Sequence, residues 1–200
     1  MQKENKLFST ANLVKMGVLS ALAFILMRVL EIPLPIFPTF LKIDFGDVPA
    51  VVATLVVHPF AGVIVVLIKN VLALMNSSSG GIGEIVNVIV GITYILPIAF
   101  FVRKNGALKS VVLGSMVGIV LMVGAGMITN GLITMPLYGE AACIGAGAAI
   151  NPAIVDKMTF LLYVIAPFNL LKGIVVGSVS IILVKVIEPL FKYLRGHQTA

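Results

Sequence analysis

Apolar residues fall along the chain in five long runs, at 13–30, 48–75, 82–102, 108–136 and 159–187, separated by polar stretches. A hydrocarbon core about 30 Å thick takes roughly 20 helical residues at about 1.5 Å each. Most of these runs reach or approach that length, so the pattern predicts an all-α polytopic membrane protein with a single transmembrane domain over 1–200. The first run reads as a retained span and not as a cleavable signal. Glu31, Pro33, Pro35 and Pro38 follow it where a small-residue cleavage pattern would stand.

The run at 48–75 is the ambiguous one, because His58-Pro59 interrupts it. Proline removes a backbone donor and clashes with the preceding turn, so this run is either one kinked helix or two short helices joined by a turn. Charge discriminates between them. Lys3, Lys6 and Lys15 place the N-terminus in the cytoplasm. Two crossings here put Arg103, Lys104, Lys109, Lys192 and Arg195 inside as well. They leave a net acidic set outside, with Glu31, Lys42, Asp44, Asp47, Glu140, Asp156 and Lys157. The expectation is therefore six transmembrane helices with cytoplasmic N- and C-termini. A re-entrant pair at 48–75 has the same parity, and the second span is short.

The segments between the runs have their own signatures. External loops are expected at 31–47 and 137–158. The first opens with prolines, which favour extended backbone, and 40–45 reads as a short strand or a plain loop. Asn76-Ser-Ser-Ser-Gly-Gly reads as a flexible connector and Asn105-Gly106 as a cytoplasmic turn. Long loops over a helical bundle suit a gate for a ligand arriving from outside, and equally suit ordinary connections.

Composition narrows the function. Of 200 residues, 60% are hydrophobic and 11% charged, with mean hydropathy +1.14. That leaves too little polar side chain to cover a water-facing surface and excludes a soluble globular enzyme or a disordered chain. The net charge of +6 lies scattered between apolar runs, not along one basic stripe, so no nucleic acid partner is expected. One cysteine, Cys143, and two histidines, His58 and His197, offer neither an internal disulfide nor a metal-ligand spacing. No phosphate-binding GxxxxGK[ST] motif and no catalytic Ser/His/Asp set occur. The chain is expected to be no enzyme, with no metal, cofactor or catalytic residue of its own.

Polar residues inside the apolar runs are the candidate chemistry, because ionisable groups in a membrane face a cavity or a partner. Asn169 and Lys172 share a helix face, three residues apart. Together they present donors and an acceptor that match a flat heteroaromatic ligand with adjacent carbonyls and an imide. The alternative is an interhelical clamp, for instance Lys172 with Glu84. Glu84 and Asn87 form a second pair near the outer end of their run, where the carboxylate accepts ligand hydroxyls or stabilises a helix start. Asn130 is a third candidate. Lys69 and Asn70 are adjacent, so they point to different faces. Gly17 and Ala21, with Ser20 beside them, and Gly114 with Gly118 have the four-residue spacing that lets helices approach closely, within this bundle or against a partner.

The chain resembles the substrate-binding S components of energy-coupling factor (ECF) vitamin transporters, and among them the riboflavin-specific members. The resemblance rests on Gly17-Val18-Leu19-Ser20-Ala21-Leu22-Ala23, on Phe40 through Pro49 with its Leu-Lys-Ile-Asp-Phe-Gly-Asp-Val-Pro stretch, and on Gly62 through Asn70. Gly83-Glu84-Ile85-Val86-Asn87 and Phe168-Asn169-Leu170-Leu171-Lys172-Gly173 complete it. It implies a six-helix protein of the prokaryotic cell membrane that captures one vitamin from outside. It also implies separate energy-coupling partners, a transmembrane coupling protein and two cytoplasmic ATPase subunits. By motif match, riboflavin, as transported ligand and not as cofactor, would meet Thr39, Phe40, Leu41, Glu84, Asn130, Asn169 and Lys172, with Asn87 beside Glu84. Gly17, Ser20 and Ala21 would face the coupling protein. Another vitamin or precursor, or a stand-alone structural or channel-like membrane protein, are the competing expectations.

Overall fold

The computed structural model describes residues 7–105 and 108–196, with side chains described over 7–103 and 108–187. Lys3, Lys6, Gly106 of the expected turn and His197 lie outside the described residues, as do the side chains of Lys104, Lys192 and Arg195.

Helix α1 runs over Thr10–Val29 and begins where Ser9 Oγ accepts the Asn12 N–H at 3.3 Å. The proline-rich segment after it carries a two-residue antiparallel ribbon, β1 (Ile32–Pro33) with β2 (Lys42–Ile43), pairing Ile32 with Ile43. This ribbon is the departure from an all-α chain, and it takes the strand alternative for 40–45. The run at 48–75 resolves into two helices, α2 (Val48–Val56) and α3 (Ala61–Leu74). The turn between them closes through Ala61 N–H to His58 O at 2.8 Å, with Pro59 inside it. Gly62 permits the pair to close. A Cβ there would sit 2.5 Å from Ala50 O and 2.2 Å from Thr54 Oγ1.

Helix α4 (Ile82–Asn105) is followed by α5 (Leu108–Thr129), a π turn at Asn130–Thr134 and α6 (Met135–Tyr138). Gly139, at φ +94°, breaks this rod. The last rod is α8 (Lys157–Phe160), a π turn at Leu161–Ile165 and α9 (Ala166–Gly196), started by an Asp156/Thr159 capping box. Both π turns have one cause. Each ends two residues before a proline, Pro136 or Pro167, which has no N–H for the regular ladder. The residue ahead of it, Met135 or Ala166, donates instead to the carbonyl five positions back, on Asn130 or Leu161. The stretch expected as an external loop at 137–158 also contains α7 (Glu140–Ala148), which tucks Cys143 and Gly147 inward against Phe160 and Ile154.

Four segments are long and apolar enough to cross a membrane, Thr10–Val29, Ile82–Arg103, Leu108–Tyr138 and Lys157–Ile187, while α3 is shorter. Their outer faces carry the exposed Val14, Val18, Val120, Ile182 and Val186. Lys69, Asn70, Asp44, Asp47 and Lys172 are buried. That inside-out distribution fits a lipid solvent. Chain direction alternates. Arg28 near the end of α1 bonds carbonyls at the end of α3, and Tyr138 at the end of α6 reaches Ser79 just ahead of α4. The ends of α1, α3 and α6 thus gather where α4 begins.

The two small-residue pairs have different fates. A Cβ on Gly114 would lie 2.5 Å from Ile98 Cα, and one on Gly118 2.6 Å from Tyr94 O, so these glycines seat α5 on α4. A Cβ on Gly17 would meet nothing within 4 Å, and Ala21 is exposed one turn on. Ser20 is turned into the bundle at 1% exposure, one position round from that face, and so is not part of the flat outer surface with Gly17 and Ala21. Accordingly, Gly114→Ala should lower stability by about 1–3 kcal/mol through overpacking. Gly17→Ala, inside a helix with room for the Cβ, should instead raise it by about 0.4–1 kcal/mol, both read by thermal unfolding of the purified protein in detergent.

Candidate ligand-binding cavity

A cavity of about 300 Å³ opens at the end where α1, α3 and α6 finish and α4 begins. This is the lower end of the range for small-molecule sites. The segment between the strands supplies Thr39, Phe40 and Leu41; α4 supplies Glu84 and Asn87; the first π turn supplies Asn130; and α9 supplies Asn169 and Lys172. All eight positions singled out from the sequence as ligand-binding candidates therefore face one space.

Two amides lie against each other through a glycine. Asn130 Nδ2 donates to Gly126 O at 2.8 Å and Asn169 Nδ2 to Ile165 O at 2.9 Å, each bonding back one turn. Those bonds orient the amides and leave a carbonyl oxygen and an N–H on each for the cavity. Gly126 keeps them adjacent, since a Cβ there would sit 2.4 Å from Asn169 Nδ2.

Lys172 is paired differently from the clamp considered with Glu84. Its Nζ donates to Asp44 Oδ2 at 2.7 Å and to Asn87 Oδ1 at 3.0 Å. An ammonium has three donors, so among the described residues one is left for the cavity. Burial alone would raise the Asp44 carboxyl. The nearby Lys172 and Lys69 ammoniums, the Lys172 hydrogen bond and the Gly46 N–H, at 2.9 Å, hold it well below the usual carboxylate range. Lys69, expected either at a cavity or packed, is fully buried and lies off the cavity wall, as does Asn70.

Glu84 is bound instead to the rim. Oε1 accepts from Arg28 Nη2 at 3.2 Å, and Oε2 accepts from Ser77 Oγ and Ser79 Oγ, each at 2.7 Å. The serine-rich connector is thereby a tied loop. Ser77 Oγ also accepts the Gly81 N–H, and Gly80 and Gly81 supply the positive φ its turn needs, at 64° and 90°. The residue that sequence reasoning missed is Arg28. It donates to Ala73 O at 2.5 Å, which also accepts the Asn76 N–H, and to Asn76 O at 2.8 Å just past the end of α3, and its Nη1 reaches Glu31 Oε1 at 3.5 Å. A single arginine near the end of an apolar run was the available signal. Asp44 was legible only as one acid of the Phe40–Pro49 stretch.

The wall carries Arg28, Lys42 and Lys172 against Glu31, Asp44 and Glu84, and each cation has an anion within 3.5 Å. Aromatic rings complete it, with Phe40 edge-on to Tyr138 at 5.9 Å. With its charges paired and aromatic and amide groups on its wall, such a space suits an uncharged ligand with polar groups. For the rim, Arg28→Gln should lower stability by about 1.5–3 kcal/mol. It should also speed amide exchange at Ser79, Gly81 and Gly83, measured by hydrogen–deuterium exchange mass spectrometry.

A family model described as the substrate-specific component of ECF transporters matches residues 11–184. The chain is 37% identical over 179 residues to the riboflavin transporter FmnP of Bacillus subtilis (strain 168), covering 86% of this chain and 90% of that protein. It is 32% identical over 171 residues to the riboflavin transporter RibU of Staphylococcus aureus (strain TCH60), covering 86% and 87%. A solved structure of the S component of a bacterial ECF transporter aligns with a TM-score of 0.73 at 30% identity, over 90% of this chain and 96% of that one. On the strength of the match across nearly its whole length, the chain belongs to the family of substrate-specific components of ECF transporters.

Proposed function

We propose that this chain is the high-affinity riboflavin-binding subunit of an ATP-driven ECF-type vitamin uptake transporter in a prokaryotic plasma membrane. The observation that carries the reading is the convergence of Asn130, Asn169 and Lys172 on one cavity whose charges are otherwise paired. Two amides and one ammonium donor match the carbonyls and imide N–H along one edge of an isoalloxazine ring. Phe40 and Leu41 give the ring apolar cover. Glu84, with Asn87 beside it, faces the ribityl hydroxyls. The riboflavin transporters FmnP and RibU among the relatives support the same ligand. Riboflavin is cargo here, and no reaction is required of the chain.

Within the membrane we read six crossings with both termini cytoplasmic. Arg28 bridging the ends of α1 and α3 supports this parity, because α2 must then return between them. Helix α2 is only about 14 Å long and α3 about 21 Å at about 1.5 Å per residue, so this hairpin draws on the 44–47 segment to reach its full depth. The cavity then opens to the outside, under the 31–47 segment. Transport would need a transmembrane coupling protein and two cytoplasmic ATPase subunits, with the exposed Gly17 and Ala21 giving the coupling protein a flat place to dock.

Titration of the purified protein with riboflavin, followed by quenching of flavin fluorescence, tests the reading. Saturable binding is expected, and an absence of quenching at micromolar protein would overturn it. Lys172→Ala and Asn169→Ala should each weaken binding roughly tenfold to a hundredfold, the range for losing a hydrogen bond to a charged or buried group. The elution profile of Asn169→Ala in detergent should stay unchanged, while Lys172→Ala, which strands the Asp44 carboxylate, should also lower the unfolding temperature. The Gly17→Leu, Ala21→Leu double variant should keep riboflavin affinity and lose uptake in cells that carry the coupling proteins.

A further inference from the structure

A charge cluster runs from the cavity wall into the protein behind it, and ligand contact does not explain its inner members, Lys69 and Asp47. Lys69 of α3 is fully buried and does not line the cavity. Its Nζ is 2.6 Å from Asp47 Oδ1 and 3.9 Å from Asp44 Oδ1. Asp44 gives its other oxygen to Lys172 at 2.7 Å. Two anions from the segment between β2 and α2 thus alternate with two cations, one from α3 and one from α9. The packing leaves them little freedom. A Cβ on Gly46 would meet Ala23 O and Met27 Cβ at 2.9 Å, and one on Gly91 would come within 3.2 Å of Asp47 Oδ1.

The geometry points to Lys69 as a positioning residue for ligand binding. It neutralises Asp47 and leans on the near oxygen of Asp44, so that the far oxygen stays with Lys172 and the Lys172 ammonium stays at the cavity edge. This role rests on the riboflavin-binding reading above. The electrostatics are those of a buried set of balanced charges, where removing one member strands another in a low-dielectric interior. Without the Lys69 charge, Lys172 alone must serve two carboxylates and is drawn off Asn87 and the cavity. Without the Asp47 charge, Lys69 turns to Asp44 and competes with Lys172 for it. With both removed, Asp44 and Lys172 remain as a balanced pair.

The test is a riboflavin titration of the wild-type chain, Lys69→Met, Asp47→Asn and the double variant in detergent, each with its thermal unfolding curve. Each single change should weaken binding by about tenfold, and the double variant should recover to within about threefold of wild type, as coupled neighbours do. A direct ligand contact predicts no such recovery, and a contact that merely holds the fold predicts unfolding temperatures that fall and recover while the affinity of the folded protein stays at the wild-type value. Single variants that bind as tightly as wild type would overturn the role, as would a double variant whose loss equals the two single losses combined. If Lys69→Met does not fold, Asp47→Asn and the double variant carry the same comparison. Wild-type protein that fails to bind riboflavin overturns the ligand reading and this role with it. Wild-type binding with unaffected single variants overturns this role alone.

Discussion

A charge buried among lipid-facing helices must meet its opposite at hydrogen-bond distance, and in this protein Lys172 meets Asp44 at 2.7 Å. That pair joins α9 to the segment between β2 and α2, residues 128 apart in sequence. Much of the cavity end of the molecule is arranged around it. Asn87 of α4 takes a second proton of the ammonium, the Gly46 N–H steadies the carboxylate, and Lys69 balances the neighbouring Asp47. Cation and anion come from different elements, so the ion pair also fixes how the 31–47 segment lies over the helices.

The same rule governs the rim. Arg28, Glu31, Lys42 and Glu84 pair among themselves, and the ends of the helices take up what is left over. The wall therefore presents amides, one ammonium donor and aromatic faces without an unbalanced charge. This explains how a space with six ionisable side chains around it suits an uncharged polar ligand. The prolines act on the same site by another route. Pro136 and Pro167 force π turns next to the cavity, one of which begins at Asn130 while the other ends four residues before Asn169. Helix distortion and cavity-facing amides thus fall together.

Much of this was legible in the residues. Apolar runs gave the helices, and His58-Pro59 marked where one run divides into α2 and α3. Amides and ions set in those runs named five of the eight cavity candidates, because such groups do not persist in lipid without a reason to be there, and the family resemblance added Thr39, Phe40 and Leu41. Other features were not legible. Helix α7 was hidden in a glycine- and alanine-rich stretch with no amphipathic period, and only its packing of Cys143 and Gly147 against Phe160 and Ile154 shows why it is helical. The connector at 76–81 looked flexible, and Glu84 ties it down. Ser20 shared a spacing motif with Gly17 and Ala21 yet faces inward, because a helix turns by 100° per residue and adjacent positions part company.

By itself, then, the sequence determined that the chain is made of membrane-length helices and that particular polar side chains are held within them, since both follow from local hydropathy and its cost in lipid. Which charge answers which was decided only in three dimensions. Lys172 had Glu84, Asp44 and Asp47 as possible partners by type, and distance between separate elements chose Asp44 and gave Glu84 to Arg28. Gly17 and Gly114 look alike in sequence, and only the packing of α5 on α4 makes one a contact point inside the bundle and leaves the other open on its surface. Pairing and exposure are properties of what lies opposite a residue, and no one-dimensional pattern carries that information.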